Sequence, residues 1–128
     1  MRCLLDTHVL LWWMTKPRVL TQSLRDFLDD RSNDLVLSVA VPWELAIKTG
    51  KGKLDGHPIL REIQFGQLKD DLEILPAQVS QVIRAGLLPP HHRDPFDRLL
   101  AAQALDLEIP IVSIDSVFDL YGVERIWY

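Results

Sequence analysis

Short apolar runs alternate along the chain with stretches of helical periodicity. Cys3-Leu4-Leu5 and Leu35-Val36-Leu37-Ser38-Val39 are continuous apolar runs rather than alternating ones, the pattern of strands buried on both faces. Leu72 to Leu75, stopped by Pro76, predicts a third strand, and Ile111 to Asp115, set off by Pro110, a fourth with an acid at its end. Val123 to Trp127 reads as a last edge strand. Between these runs the apolar spacing changes to that of helices. Val9 to Met14 predicts a turn or two, ending near Pro17. Thr21 is placed to cap a helix whose inner face is Leu24, Phe27 and Leu28, closed by the polar turn Asp29-Asp30-Arg31. Pro42 opens a helix from Trp43 to Thr49 with Glu44 in its first turn; Gly50 ends it, with Lys48, Lys51 and Lys53 around the negative end of the dipole. Pro58 to Lys69 predicts a helix on Ile59, Leu60, Ile63 and Leu68, and Ala77 to Leu87 one with Val79, Val82 and Ile83 inward. Leu88 to His92 is an extended loop, and Ser116 to Tyr121 a short helix.

Strands alternating with helices predict an α/β fold: a single three-layer α/β/α domain over residues 1–128 with a central, mostly parallel sheet. Crossovers in such sheets are right-handed, and ligands gather beyond the carboxyl ends of the strands. The composition, 48% hydrophobic and 25% charged in 128 residues, suits one domain with a real core. Cys3 has no partner for an internal disulfide, Asp6 interrupts the first apolar run too early for a signal peptide, and Val9 to Met14 is far too short to span a membrane. These features predict a soluble, cytoplasmic protein. A net charge of −4 offers no overall basic field for nucleic acid, although a metal-dependent nuclease needs only a local excess of carboxylates. Gly50-Lys51-Gly52-Lys53 lacks the frame of a phosphate-binding P-loop.

The candidate chemistry lies at one edge of the predicted sheet. His92 to Ala104 reads as a helix entered abruptly from a loop, with Asp94 as cap, Pro95 at the first helical position and Asp97 in the first turn. Asp6 follows strand one, Asp115 ends strand four, and Glu44 starts the helix after strand two, so a parallel sheet brings them to one side. Each acid has a purely structural alternative. Glu44 could pair with Lys48 at i,i+4, Asp115 could cap the helix after it, and Asp94 and Asp97 could serve only their own helix N-terminus. Asp6 is harder to dismiss, since a carboxylate after a buried strand needs partners. Four acids at close range call for a cation, and oxygen ligands select Mg²⁺ or Mn²⁺. One cysteine and four scattered histidines make no zinc frame, and His91 and His92 read as loop residues, with a phosphate contact left open. Such a metal would activate water and neutralise phosphoryl oxygens in an in-line displacement. Ser113 could orient a carboxylate or be an ordinary sheet residue.

Leu4-Leu5-Asp6-Thr7-His8-Val9-Leu10-Leu11-Trp12, Trp43-Glu44-Leu45-Ala46-Ile47-Lys48, His92-Arg93-Asp94-Pro95-Phe96-Asp97-Arg98 and Ser113-Ile114-Asp115 together resemble the PIN-domain family, in particular the VapC-type toxins of toxin–antitoxin pairs. The similarity runs from residue 3 to 127. It implies a metal-dependent endoribonuclease with Asp6, Glu44, Asp97 and Asp115 as catalytic and Mg²⁺- or Mn²⁺-binding acids. Asp94, Ser113 and Thr7 are then accessory, and Lys48, Arg93 and Arg98 the candidate substrate-binding cations. It also implies an RNA substrate, a cognate antitoxin over the acidic groove, and a homodimer that forms a heterotetramer or larger assembly with the antitoxin. Where relatives often carry Ser or Thr before the Trp-Glu helix, this chain has Val41-Pro42, which leaves that helix without a local cap. Two other classes compete. A receiver-type phospho-acceptor domain would need an Asp after its third strand, where this chain has Leu75-Pro76. A catalytically silent α/β binding module would use the same acidic pocket to dock a basic partner peptide.

Overall fold

The computed structural model describes residues 1–66 and 72–128. Five strands, β1 (Arg2–Leu5), β2 (Asp34–Ser38), β3 (Glu73–Leu75), β4 (Ile111–Val112) and β5 (Arg125–Ile126), form one sheet in the order β3-β2-β1-β4-β5, and every pairing is parallel. Among the described residues seven helices flank the sheet: α1 (Thr7–Thr15), α2 (Gln22–Asp29), α3 (Ala40–Gly50), α4 (His57–Gln64), α5 (Val79–Leu87), α6 (Pro95–Leu107) and α7 (Val117–Leu120). This is the three-layer α/β arrangement that the alternation of apolar runs predicts.

The core explains why the strands carry no alternation. Cys3, Leu4, Leu5, Val36, Leu37, Ile111 and Val112 have no exposed surface, because helices cover both faces of the central strands. Burial pushes the Cys3 thiol up to about 12, so it packs as a small apolar side chain rather than a nucleophile. Thr21 caps α2 as expected, its hydroxyl accepting from the Leu24 N–H at 3.2 Å.

Four expectations are corrected by packing. First, α3 begins at Ala40, not Trp43, so Glu44 lies in its second turn. Ser38, at the end of β2, supplies what Val41-Pro42 lacks: its Oγ accepts from the Ala40 N–H at 3.1 Å. Second, β4 is only Ile111–Val112, so Asp115 sits three residues past the strand. Third, α4 ends at Gln64, followed by Gly66 at φ +69°, a left-handed stop that a side chain would strain; Leu68 and Lys69 lie outside the described residues. Fourth, α5 is turned around. Val79, Val82 and Ile83 are 77%, 52% and 56% exposed, whereas Gln81 and Ala85 are buried. Ala85 packs with Leu99 and Ala102 of α6, a small-sided contact that lets the two helices approach closely. Gln81 donates to Asp106 at 2.9 Å and accepts from the buried Gln103 at 3.2 Å. Small residues and the bond from Gln103 to Gln81 fix the inner face, with Gln103 Oε1 left without a partner among the described residues, and the bulkier valines and isoleucine face outward.

Candidate functional site

The carboxyl edge of the sheet collects the acids. Asp6 follows β1 directly and is 5% exposed. Its N–H donates to Val112 at 3.1 Å, which ties it to β4, and its Oδ2 accepts from Ser113 Oγ at 2.6 Å. Thr7, the first residue of α1, donates its hydroxyl to Glu44 Oε1 at 2.6 Å, and Lys48 Nζ donates to Glu44 Oε2 at 2.8 Å. Thr7 and Lys48 thus hold the two carboxylate oxygens of Glu44. Glu44 does pair with Lys48 at i,i+4, but it is 3% exposed and also fixed by Thr7, which an ordinary surface pair would not require.

The second half of the cluster comes from α6 and the segment after β4. Asp94 caps α6, accepting from the Phe96 N–H at 2.9 Å, and Pro95 occupies the first helical position. One turn on, Asp97 accepts from His92 Nε2 at 2.8 Å, and the same nitrogen lies 3.5 Å from Asp115 Oδ2. Asp115 also caps α7 through a bond from the Val117 N–H at 3.0 Å, and its own N–H donates to Ser113 Oγ at 3.0 Å. Ser113 therefore connects the two halves. One ligand-capable atom each from His92, Asp97 and Asp115 falls within 4.8 Å of the others.

His92 reads from sequence as a loop residue; the structure turns its ring into the acids. The Asp94 N–H donates to His92 Nδ1 at 3.1 Å. Assigned from these partners, the neutral imidazole carries its proton on Nε2 and points it at Asp97. In this arrangement His92 Nε2 is a donor to the acids. The signal in the sequence was its place two residues before a capping Asp, close enough to bond that residue's N–H.

Charge is crowded here. Asp97 is pushed up to about 8, first by burial and then by Asp6, Asp94, Glu44 and Asp115. The bond from His92 is too little to offset that field. Burial also raises Asp6 above the ordinary carboxylate range, against the lowering effect of Ser113. Burial works against the Lys48 ammonium, yet Glu44, with Asp94 and Asp97, holds its pKa above the usual value.

Arg98, expected to meet substrate, instead turns onto the preceding loop. Its two terminal nitrogens donate to the carbonyls of Pro89, His92, Gly86 and Leu88 and to Tyr121 Oη. Tyr121 donates to the Pro89 carbonyl at 2.8 Å and accepts from the His92 N–H at 2.9 Å. These two side chains set the path of the Leu88–His92 loop, and with it the reach of His92. Tyr121→Phe keeps the ring, including its edge contact with His91, but leaves part-buried backbone groups unmet. It is expected to cost about 1–3 kcal/mol in a urea unfolding titration. A midpoint equal to wild type would show that water replaces the hydroxyl.

Of the remaining expected residues, Lys48 is engaged with Glu44, while Arg93, with Lys51 and Lys53, is exposed and has no ion pair among the described residues. These cations share a groove of about 350 Å³ with Glu44, Ile47, Asp94, Pro95 and Phe96.

A family model described as PIN domain matches residues 3–124. Among solved structures the chain is similar to VapBC2 from Rickettsia felis bound to a DNA fragment from its promoter, with a TM-score of 0.72 and 18% identity over 100% of both chains. It is similar to FitAcB from Neisseria gonorrhoeae, TM-score 0.70 and 19% identity over 98% of this chain and 96% of that one. VapBC-1 from nontypeable Haemophilus influenzae gives 0.65 and 18%, over 98% and 97%. No curated protein matches the sequence. At these identities the structural likenesses speak to fold.

Proposed function

From a chain that belongs to the PIN-domain family, we propose a single PIN-like domain over residues 1–128 that acts as a metal-dependent endoribonuclease, the toxin of a toxin–antitoxin pair. The observation that carries the proposal is the gathering of the acids at the carboxyl edge of the sheet: Asp97 and Asp115 meet at His92 Nε2, Ser113 joins Asp115 to Asp6, Thr7 holds Glu44, and Asp6, Glu44 and Asp115 all lie close enough to raise the Asp97 pKa. The donors suit the ion the family uses. The four acids offer oxygen only, and the nearest imidazole nitrogen is occupied in donating to Asp97, so the set fits a hard cation, Mg²⁺ or Mn²⁺.

In this reading Asp6, Glu44, Asp97 and Asp115 hold the ion, which supplies Lewis acidity toward water and the scissile phosphate when bound. Ser113 and Thr7 fix the orientations of Asp6 and Glu44. Asp94 starts α6 and so sets where Asp97 points. Lys48 lies against Glu44 and Arg93 is free in the groove, so these two cations are placed to meet RNA phosphates. The donors of Arg98 are taken up by the loop, which leaves it a positioning role.

A further similar structure is a toxin–antitoxin complex from Klebsiella pneumoniae, TM-score 0.62 and 12% identity over 89% of this chain and 87% of that one, and a cognate antitoxin covering the acidic groove is the proposed partner, on a homodimer that assembles into a heterotetramer or larger complex. Among the described residues no helix is long and apolar enough to cross a membrane, in keeping with a cytoplasmic setting. Purified protein is expected to cut RNA with Mg²⁺ or Mn²⁺, to stop with EDTA, and to resume when the metal is restored. Cleavage that persists at full rate in EDTA would overturn the metal mechanism. Metal binding without any cleavage would favour the silent binding module.

A further inference from the structure

We infer that Trp43 is a base-stacking site, and that the groove beside it takes an unpaired stretch of RNA whose phosphates lie on Lys51, Lys53 and Arg93. The inference rests on the nuclease reading and gives its substrate a chemical class. Trp43 is 62% exposed, on the helix that carries Glu44 and one residue before it. Most of its surface is open to water, which burial in the core does not explain. It is nonetheless held: its ring stands at 90° to Phe96 with centroids 4.9 Å apart, the edge-to-face geometry that fixes an aromatic without covering it. Phe96 in turn lines the groove with the three cations and the buried Glu44. Through Phe96, Trp43 adjoins a groove that carries these cations together with the acids Glu44 and Asp94.

Those two features together specify the ligand. Exposed cations attract any nucleic acid through its phosphates. An aromatic face adds stacking, which a base already sandwiched in a duplex does not offer, so an unpaired strand is selected. Stacking accepts every base, so Trp43 contributes affinity and not sequence preference. Lys48 is engaged by Glu44, which leaves Lys51, Lys53 and Arg93 without an ion pair among the described residues and a shallow salt dependence, a log–log slope of about −2 for a single strand.

The test uses the full chain carrying Asp6→Asn to silence cleavage, titrated with a fluorescein-labelled unstructured RNA and with its fully paired duplex. The single strand is expected to bind more tightly. Adding Trp43→Ala is expected to weaken that binding roughly five- to a hundredfold, as loss of one base–aromatic stack does, while Trp43→Phe retains most of it. The indole is exposed, so circular dichroism should show both variants folded. Unchanged affinity in Trp43→Ala, equal binding of duplex and single strand, or a salt slope steeper than about −5 would overturn the inference. Unchanged RNA affinity combined with lost binding of a protein partner would assign the indole to that partner instead. The nuclease reading fails separately: RNA that binds through Trp43 but is never cut by the unmutated protein with Mg²⁺ refutes the activity and leaves the stacking site standing.

Discussion

Asp6→Asn is expected to lower Mg²⁺-dependent RNA cleavage by several orders of magnitude while leaving the metal-free protein as stable as before, or more so. The amide has nearly the shape of the carboxylate, and Ser113 Oγ, now 2.6 Å from Oδ2, still finds an oxygen to donate to. The charge alone is lost. Burial already raises the Asp6 pKa, so its ionised form is costly in the metal-free fold, and removing the charge removes that cost. A bound cation, by contrast, needs the charge. Two measurements decide: cleavage with Mg²⁺, and the urea midpoint in EDTA. Lost activity with an unchanged or raised midpoint marks Asp6 as a site acid. A clearly lowered midpoint in EDTA would make it a structural one.

The second large effect is a dependence of stability on pH that runs opposite to ordinary acid denaturation. Asp97 is at about 8 in the folded chain against 3.8 for a free carboxyl. Between those values the folded state holds a proton that the unfolded state has released, so stability falls as pH rises through this window. The contribution is fully present below the lower value and gone above the upper one. The slope from this one group reaches about 1.4 kcal/mol per pH unit. In EDTA, wild type should therefore lose stability from pH 5 to pH 7 relative to Asp97→Asn, whose slope should be flatter. Saturating Mg²⁺ stabilises the charged form and should flatten or invert the wild-type slope, with little effect on the variant. Parallel pH profiles for the two proteins, each raised equally by Mg²⁺, would return Asp97 to the role of a first-turn helix acid.

The acids were legible because each sits next to a strong local signal. Asp6 closes a continuous apolar run, Asp94 precedes Pro95, and Asp97 follows one turn later. Such signals act within a turn or a strand of the residue itself, and the structure keeps them. Glu44 makes the i,i+4 pair with Lys48 that was its structural alternative, while the expected helix start at Trp43 was wrong. The side-chain bond to the first N–H of α3 comes from Ser38, inside what the hydrophobic pattern reads as strand.

What the sequence determined by itself is the parallel α/β class and the sheet edge on which the acids lie, because apolar continuity and capping chemistry are local properties of the chain. Tertiary structure decided the rest. His92 reaches Asp97 only because Tyr121, 29 residues away, accepts its N–H while Arg98 holds the loop's carbonyls. Arg98 looked like a free cation, and a guanidinium with five donors is drawn instead to unpaired carbonyls a dozen residues or fewer away. On α5 the periodicity pointed Val79, Val82 and Ile83 inward, whereas the buried face is Gln81 and Ala85. Periodicity reports that a helix has an apolar stripe; which stripe is buried depends on the partner. The close-packed small face of α6, with Gln103 waiting to be bonded, selects the face that can approach it.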